Sequence, residues 1–327
     1  MNQFNLLVIG DTSIDAFIRL KEAELHCDIS REECKICLKF ASKIPYESIT
    51  EVPAGGNSAN VALGSAKLNL TTTYLTNIGY DDNGQKILTK LKKAGINPDL
   101  IKVHANLNTN YNYVLWYADD RTILVHHENY PYKLPSLPKT NWVYLTSLGE
   151  NSLELHQELV DQLDKNPDTK LAFSPGTMQI RVGHQELKEI YKRTEIFFAN
   201  KQEVMKILET DKEEVAWLAN KIKDLGPQIV VITDGNQGSF ALDSSNLWHS
   251  PIFPTENNLL ERTGAGDAFA SAFLAAIIEN LSVPEALAWG AVNSASVVQK
   301  IGPHEGLLSS DEIKRQLSQK NISIQKI

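Results

Sequence analysis

A chain of 327 residues, 42% hydrophobic and 22% charged, is long enough to bury a sizeable core and has the composition of an ordinary globular protein. Its formal net charge of -8 argues against general affinity for nucleic acid or anionic membranes, which needs clustered Lys and Arg. The longest mostly apolar stretch, 268–278, is far below the roughly 20 residues of a membrane span, and the start MNQFNLLVIG lacks a basic region and a signal-length apolar run. A cytoplasmic protein with one domain over 1–327 is expected.

The first apolar run, FNLLVIG (4–10), is short, continuous and closed by Gly, as a strand buried on both faces is. It leads into Gly10-Asp-Thr-Ser-Ile-Asp15. Residues 15–53 then carry short alternating strands and all three cysteines, Cys27, Cys34 and Cys37. In a cytosolic chain these are expected as thiols rather than a disulfide frame. Cys34 and Cys37 have a zinc-knuckle spacing and His26 could join them, while the alternative is small buried apolar residues.

Ala54-Gly-Gly-Asn57-Ser-Ala-Asn60 opens a helix over 57–68. Glycines there allow close backbone approach, and two amides three apart share a helical face, which suits a ligand rich in hydroxyls. A strand is expected at 71–79 and a helix at 82–94. Residues 110–127 read as a hairpin turning at Ala118-Asp-Asp-Arg121, with Tyr111, Tyr113 and Tyr117 on one face. The tyrosines are expected in lid or interface packing, with stacking on a nucleobase as the alternative. His126-His127-Glu128 reads as a solvated strand end.

Strands at 141–149, 170–176, 194–201 and 228–235 then alternate with helices at 151–164, 184–192, 201–209 and 212–225. After about 260 the chain reads as helical, over 265–280, 283–300 and 310–318. Such alternation implies an α/β fold with a doubly wound, mostly parallel sheet. The two β-rich interruptions, about 15–53 and 108–130, would form a small lid over one edge.

In open α/β sheets ligands bind at the carboxyl ends of the strands. No G-x-x-x-x-G-K-[ST] occurs, no G-x-G-x-x-G follows the first strand, and G-x-S-x-G and H-E-x-x-H are absent. What stands out is Arg262-Thr-Gly264-Ala265-Gly266-Asp267 at the mouth of an apolar helix. Bare backbone N–H groups at a helix start can converge on an anion. Asp267 beside them, kept ionised by the helix dipole, can accept a proton. An anion cradle next to a base fits phosphoryl transfer to a hydroxyl. A helix cap behind a flexible turn is the structural alternative.

AGGNSANVALGSAKL followed by RTGAGDAFASAFLAA resembles the paired signatures of the PfkB/ribokinase family of carbohydrate kinases. Gly79-Tyr-Asp-Asp-Asn-Gly84, Asn200-Lys-Gln-Glu203 and Thr233-Asp-Gly235-Asn-Gln-Gly238 match further family motifs in the family's order. The resemblance covers nearly the whole chain and implies an ATP- and Mg²⁺-dependent sugar kinase, dimeric through its lid. It implies Asp267 as base, and Gly264, Ala265 and Gly266 as the anion hole for the γ-phosphoryl group. Asp15, Gly56, Asn57 and Asn60 would hold the substrate, with Ser13 assisting. Asn200 and Glu203 would organise phosphates and Mg²⁺ through water. Thr233, Gly235 and Gly238 would line the nucleotide pocket, with Asn293 near the adenine.

Two positions depart from the family. Glu261 stands where Asp is common in the loop associated with a monovalent cation. Its longer side chain can still offer oxygen as the candidate K⁺ ligand, with the carboxylate a methylene further out, so the departure leaves the cation requirement open. Asn57 stands where some members carry Lys, which favours a substrate without a phosphate. A nucleoside kinase and a catalytically silent sugar- or nucleotide-binding regulator are the alternative readings.

Overall fold

The computed structural model describes residues 3–27, 34–118, 120–255 and 262–327. Glu261 therefore lies outside the described residues, as does Asp119 of the expected hairpin turn. The six expected buried strands are present as Phe4–Ile9, Thr72–Gly79, Thr140–Leu145, Lys170–Phe173, Thr194–Asn200 and Ile229–Thr233. With Ile101–His104 they run parallel within one ten-stranded sheet. Their continuous apolar runs have a physical cause, because both faces are covered. Leu6 and Val8 of the first strand enter one core with helices Asn57–Lys67, Ala265–Ile278 and Val283–Val297. Leu7 and Ile9 enter the other with Leu153–Asp164, Lys201–Ile207 and Val215–Asp224.

Phe4–Ile9 sits between Thr140–Leu145 and Thr72–Gly79, so the sheet is wound outward in both directions from it. A crevice opens at the carboxyl ends beside such a switch point. One edge of the sheet was not anticipated. Ser239–Leu242, Leu247–Ser250 and Gln325–Lys326 extend it with antiparallel pairing. The first two form a hairpin whose turn is closed by Asp243 Oδ1, which accepts from the N–H of Ser245 and Asn246 at 2.8 Å each. The expected helix over 184–192 is shorter, Lys188–Arg193, and is preceded by a separate turn of helix, Thr177–Val182. Gly183, at φ 91°, breaks the two apart.

The helix that carries Asp267 is apolar on nearly all sides because it is enclosed. It packs between Asn57–Lys67 and Val283–Val297, and small residues set the spacing. A Cβ on Gly64 would come within 2.5 Å of Ser271 Oγ, and one on Gly290 within 2.7 Å of the Phe269 ring. The N-terminus of this helix is thereby fixed against the sheet's carboxyl edge.

The lid is a four-stranded sheet in the order Tyr46–Gly55, Ser13–Leu20, Tyr111–Tyr117, Asp120–Leu124. A two-stranded ribbon, Glu24–Cys27 with Cys34–Cys37, hangs from it. Tyr111 donates to Glu51 at 2.7 Å, and Lys86 Nζ of the body meets the same carboxylate at 2.8 Å, so lid and body are joined there. The cysteine reading needs correction. Cys27 and Cys34 face each other across the ribbon and form a disulfide, leaving Cys37 free. With two sulfurs consumed, the three cysteines do not make a thiolate set. Among the described residues no group of three His, Cys, Asp or Glu is placed to hold a metal. No described helix is long and apolar enough to cross a membrane.

Candidate active site

Gly264, Ala265, Gly266 and Asp267 lie where the sheet's carboxyl edge meets two adjoining cavities. The bare turn has two distinct causes. Gly264 caps the helix at φ 78°, a left-handed conformation, and a Cβ there would lie 2.3 Å from Pro303 Cβ. Gly266 has no atom within 4 Å of its ideal Cβ position, and it lines both cavities. Its missing side chain keeps open space open. The N–H of Ala265 already turns back to Arg262 O at 3.3 Å, so the N–H groups of Gly266 and Asp267 are the first-turn donors available to an anion.

The first cavity, of about 260 Å³, is walled by Asn57, Arg121, Asn200, Glu203, Arg262 and Asp267 among others. Asp267 Oδ2 accepts from Asn60 Nδ2 at 2.7 Å. Burial pushes its carboxyl up to about 7, the Asn60 donation opposes this, and the charges of Glu203 and Asp15 add to the rise. Burial thus acts against the ionised form of Asp267 that the helix start was expected to favour.

Asn200 and Glu203 line the same wall and form a reciprocal capping box for helix Lys201–Ile207. Asn200 Oδ1 accepts from Glu203 N at 2.8 Å, and Glu203 Oε2 accepts from Asn200 N at 2.9 Å. Burial raises the Glu203 carboxyl above its ordinary range.

Ser13 and Asp15 form a buried polar cluster at the start of the lid. Ser13 Oγ donates to Asp15 Oδ1 at 2.7 Å, and Asn112 Nδ2 reaches Asp15 Oδ1 at 2.9 Å and Ser13 Oγ at 3.1 Å. Asn112 lies opposite Asp15 in the parallel pairing of their strands. Gly55 rather than Gly56 is bare for this carboxylate, since a Cβ on Gly55 would fall 2.2 Å from Asp15 Oδ2. Gly56, at φ 88°, caps the helix that presents Asn57 and Asn60.

The second cavity, of about 290 Å³, has walls from Thr233, Gly235, Gly238, Ile252, Phe253, Ala291, Ser294, Ala295 and Val298, with Gly266 at its junction with the first. Three of the expected nucleotide residues, Thr233, Gly235 and Gly238, are thus together. Asn293 is not with them. It is fully buried between helices, donating to Ala268 O at 2.8 Å and accepting from Leu308 N at 3.0 Å. Its neighbours Ser294 and Ala295 reach the cavity instead.

The sequence reading did not single out Arg121 and Arg262, which line the first cavity, or Asn112, which joins Ser13 and Asp15 in a cluster that lines neither cavity. Arg121, taken as part of the hairpin turn, lies in strand Asp120–Leu124 and lines the first cavity. Arg121 and Arg262 stand in the same wall as Asn57. Tyr111, Tyr113 and Tyr117 line neither cavity; Tyr111 and Tyr113 pack ring to ring at 5.1 Å. His126 and His127 are exposed, as expected for a solvated strand end.

The model of the pfkB family of carbohydrate kinases matches residues 6–309. The chain is 24% identical to a 5-dehydro-2-deoxygluconokinase of Shouchella clausii over 98% of its own length and 97% of that protein's. In fold it is similar to a nucleoside kinase of Methanocaldococcus jannaschii, with a TM-score of 0.80 at 19% identity over 98% of this chain and 99% of that one. It is equally similar to an Arabidopsis thaliana ribokinase complexed with ribose and ATP, with a TM-score of 0.80 at 20% identity over 97% and 99% of the two chains.

Proposed function

Because the chain belongs to the pfkB family of carbohydrate kinases, we propose that it moves the γ-phosphoryl group of ATP to a hydroxyl of a small sugar, with Asp267 as the base. The observation that carries this reading is the junction at Gly266. One cavity holds the carboxylates of Glu203 and Asp267 and the amides of Asn57 and Asn200, and the other is lined by glycines, apolar side chains and small hydroxyls. Arg262 borders both, and the helix N-terminus stands between them. ATP fits the second cavity with its phosphates directed at the helix start, and the sugar fits the first.

The substrate oxygen attacks the γ-phosphorus, the bond to the β-phosphate oxygen breaks, ADP departs and the hydroxyl proton passes to Asp267 Oδ. Asp267 is a weak base for an alcohol, yet in a loose transition state it accepts the proton late, so its position matters more than its basicity. The first-turn N–H groups of Gly266 and Asp267 then meet charge developing on the phosphoryl oxygens. Asn57, with Asp15, Ser13 and Asn112 beneath the lid, supplies donors and acceptors for sugar hydroxyls.

The donor set fits Mg²⁺. Asn200 and Glu203 are hard oxygen ligands on the wall, and the capping box engages Glu203 Oε2 only, leaving Oε1 for the ion or its water. When bound, Mg²⁺ neutralises charge on the transferring phosphates. A K⁺ requirement involving Glu261 remains part of this proposal. Tyr113 and its cross-strand partner Leu124, on the lid face opposite to Arg121, are exposed together with Tyr46 and Ile49 of strand Tyr46–Gly55, and support a homodimer formed through the lid.

The test is ADP release over pentoses, hexoses, acidic sugars and nucleosides, with Mg²⁺ and with K⁺ or Na⁺. Acidic sugars belong in the screen because of Arg121 and Arg262; turnover on nucleosides alone would support the alternative nucleoside reading, and turnover on nothing the silent regulator. Asp267→Asn is expected to lower turnover by about 10²–10⁴-fold with ATP affinity nearly unchanged. Retained turnover in that variant removes the assignment.

A further inference from the structure

Asp267 is not held by Asn60 alone. Asn60 Oδ1 meets His304 Nε2 at 2.8 Å, and His304 Nδ1 meets Lys90 Nζ at 2.7 Å. Three hydrogen bonds thus run from a lysine on helix Asp82–Lys93, through a histidine in the loop before the last helix, to an amide on Asn57–Lys67 and on to Asp267. Chemistry fixes the direction of each link. An ionised carboxylate only accepts, so Asn60 must present its NH₂ to Asp267 and its oxygen to His304. His304 must then donate through Nε2–H, which leaves Nδ1 as an acceptor, and a lysine ammonium only donates.

Resting on the kinase reading above, we propose that His304, set in its Nε2–H tautomer by Lys90, is a positioning residue that locks the Asn60 amide so that its NH₂ faces the base. Without the chain the Asn60 amide is free to turn its oxygen toward Asp267. The carboxylate then loses a charge-assisted donor and the orientation it imposes. His304 suits the task because it stays neutral. Desolvation and the neighbouring Lys90 charge push its pKa down to about 3, so His304 takes up no second proton at physiological pH and keeps a bare Nδ1 for Lys90. The other ionisable groups around the chain are Glu305, whose charge acts on Lys90, and Glu203, Asp15 and Tyr144, which interact with Asp267. Arg121 and Arg262 stand in the wall of the same cavity.

Two measurements test this. In ¹⁵N-histidine-labelled protein, assigned by loss of one signal in His304→Gln, His304 should be protonated on Nε2 and bare on Nδ1 across pH 5 to 8. A proton on Nδ1 overturns the proposal. Second, the pH dependence of ADP release is compared among wild type, His304→Ala and His304→Gln on the sugar that turns over best. His304→Ala should lower kcat by about tenfold and move its acid limb to higher pH, with KM for ATP little changed. Gln places an N–H near the Nε2 position and should restore most of the rate. A lowered Tm with unmoved kcat and acid limb, or a Gln variant no better than Ala, overturns the proposal. If Asp267→Asn abolishes turnover while the His304 variants leave the profile unmoved, the kinase reading stands and the chain alone falls. If Asp267→Asn turns over normally, the reading falls and the proposal with it.

Discussion

The two cavities meet at Gly266 and are built in different ways. The first is written in side chains that can be named one by one: Asn57, Arg121, Asn200, Glu203, Arg262, Asp267. The second is written more in backbone, apolar surface and small polar groups, Gly235, Gly238, Ile252, Phe253, Ser239 and Ser294, and shares Thr233 and Arg262 with the first. A site that reads hydroxyl groups needs directed donors and acceptors, whereas a flat aromatic base is held by shape and dispersion. The helix start between them needs neither. It needs vacant space and unpaired N–H groups, so its two glycines are not equivalent.

Substituting those glycines breaks the comparison most directly. Gly266→Val puts a side chain into open space shared by both cavities, since nothing lies within 4 Å of its Cβ. Turnover is expected to fall by about 10²-fold or more while Tm moves little, because only the reacting groups are obstructed. ADP release beside a thermal melt checks this. Gly264→Ala should do the reverse. Its φ of 78° and the approach to Pro303 cost on the order of 2 kcal/mol of stability, measurable by urea unfolding.

The smaller effect belongs to Asn293. Removing its amide in Asn293→Ala strands Ala268 O and Leu308 N, a loss of about 1–3 kcal/mol, while ATP affinity stays near wild type. A large loss of ATP affinity at preserved stability would return Asn293 to the nucleotide site.

The same contrast explains what the sequence disclosed. Strands buried on both faces leave uninterrupted apolar runs, so the parallel sheet was legible, and polar residues at strand ends stood out against them, as Asn200 and Thr233 do. Ile252, Phe253 and Val298 carry no such mark, because an apolar cavity wall and an apolar core have the same residue pattern. The edge hairpin at 239–250 is not legible in the sequence although Asp243-Ser-Ser-Asn246 is a turn signal, since its strands of four residues are too short for a period to show. Arg121, Asn112 and His304 take their places through lid register and the approach of a distant loop. No local spacing encodes either. Asn293 misled for the converse reason, as a polar residue beside cavity-lining Ser294 that is turned inward to join two helices. The disulfide joining Cys27 and Cys34 depended on cross-strand register, which a spacing of Cys residues does not reveal.

The pH dependence of kcat in the wild-type enzyme tests the central claim, that Asp267 is the base at this junction, most directly. With its carboxyl raised to about 7 by burial, Asp267 is protonated below that pH and unable to accept the substrate's proton. Bound Mg²⁺ draws the value downward but leaves the sign unchanged. Turnover is therefore predicted to decline as pH falls from 8 toward 5, with one acid limb that is absent from the residual rate of Asp267→Asn. A rate that stays level across that range, or an acid limb that survives unaltered in Asp267→Asn, contradicts the account.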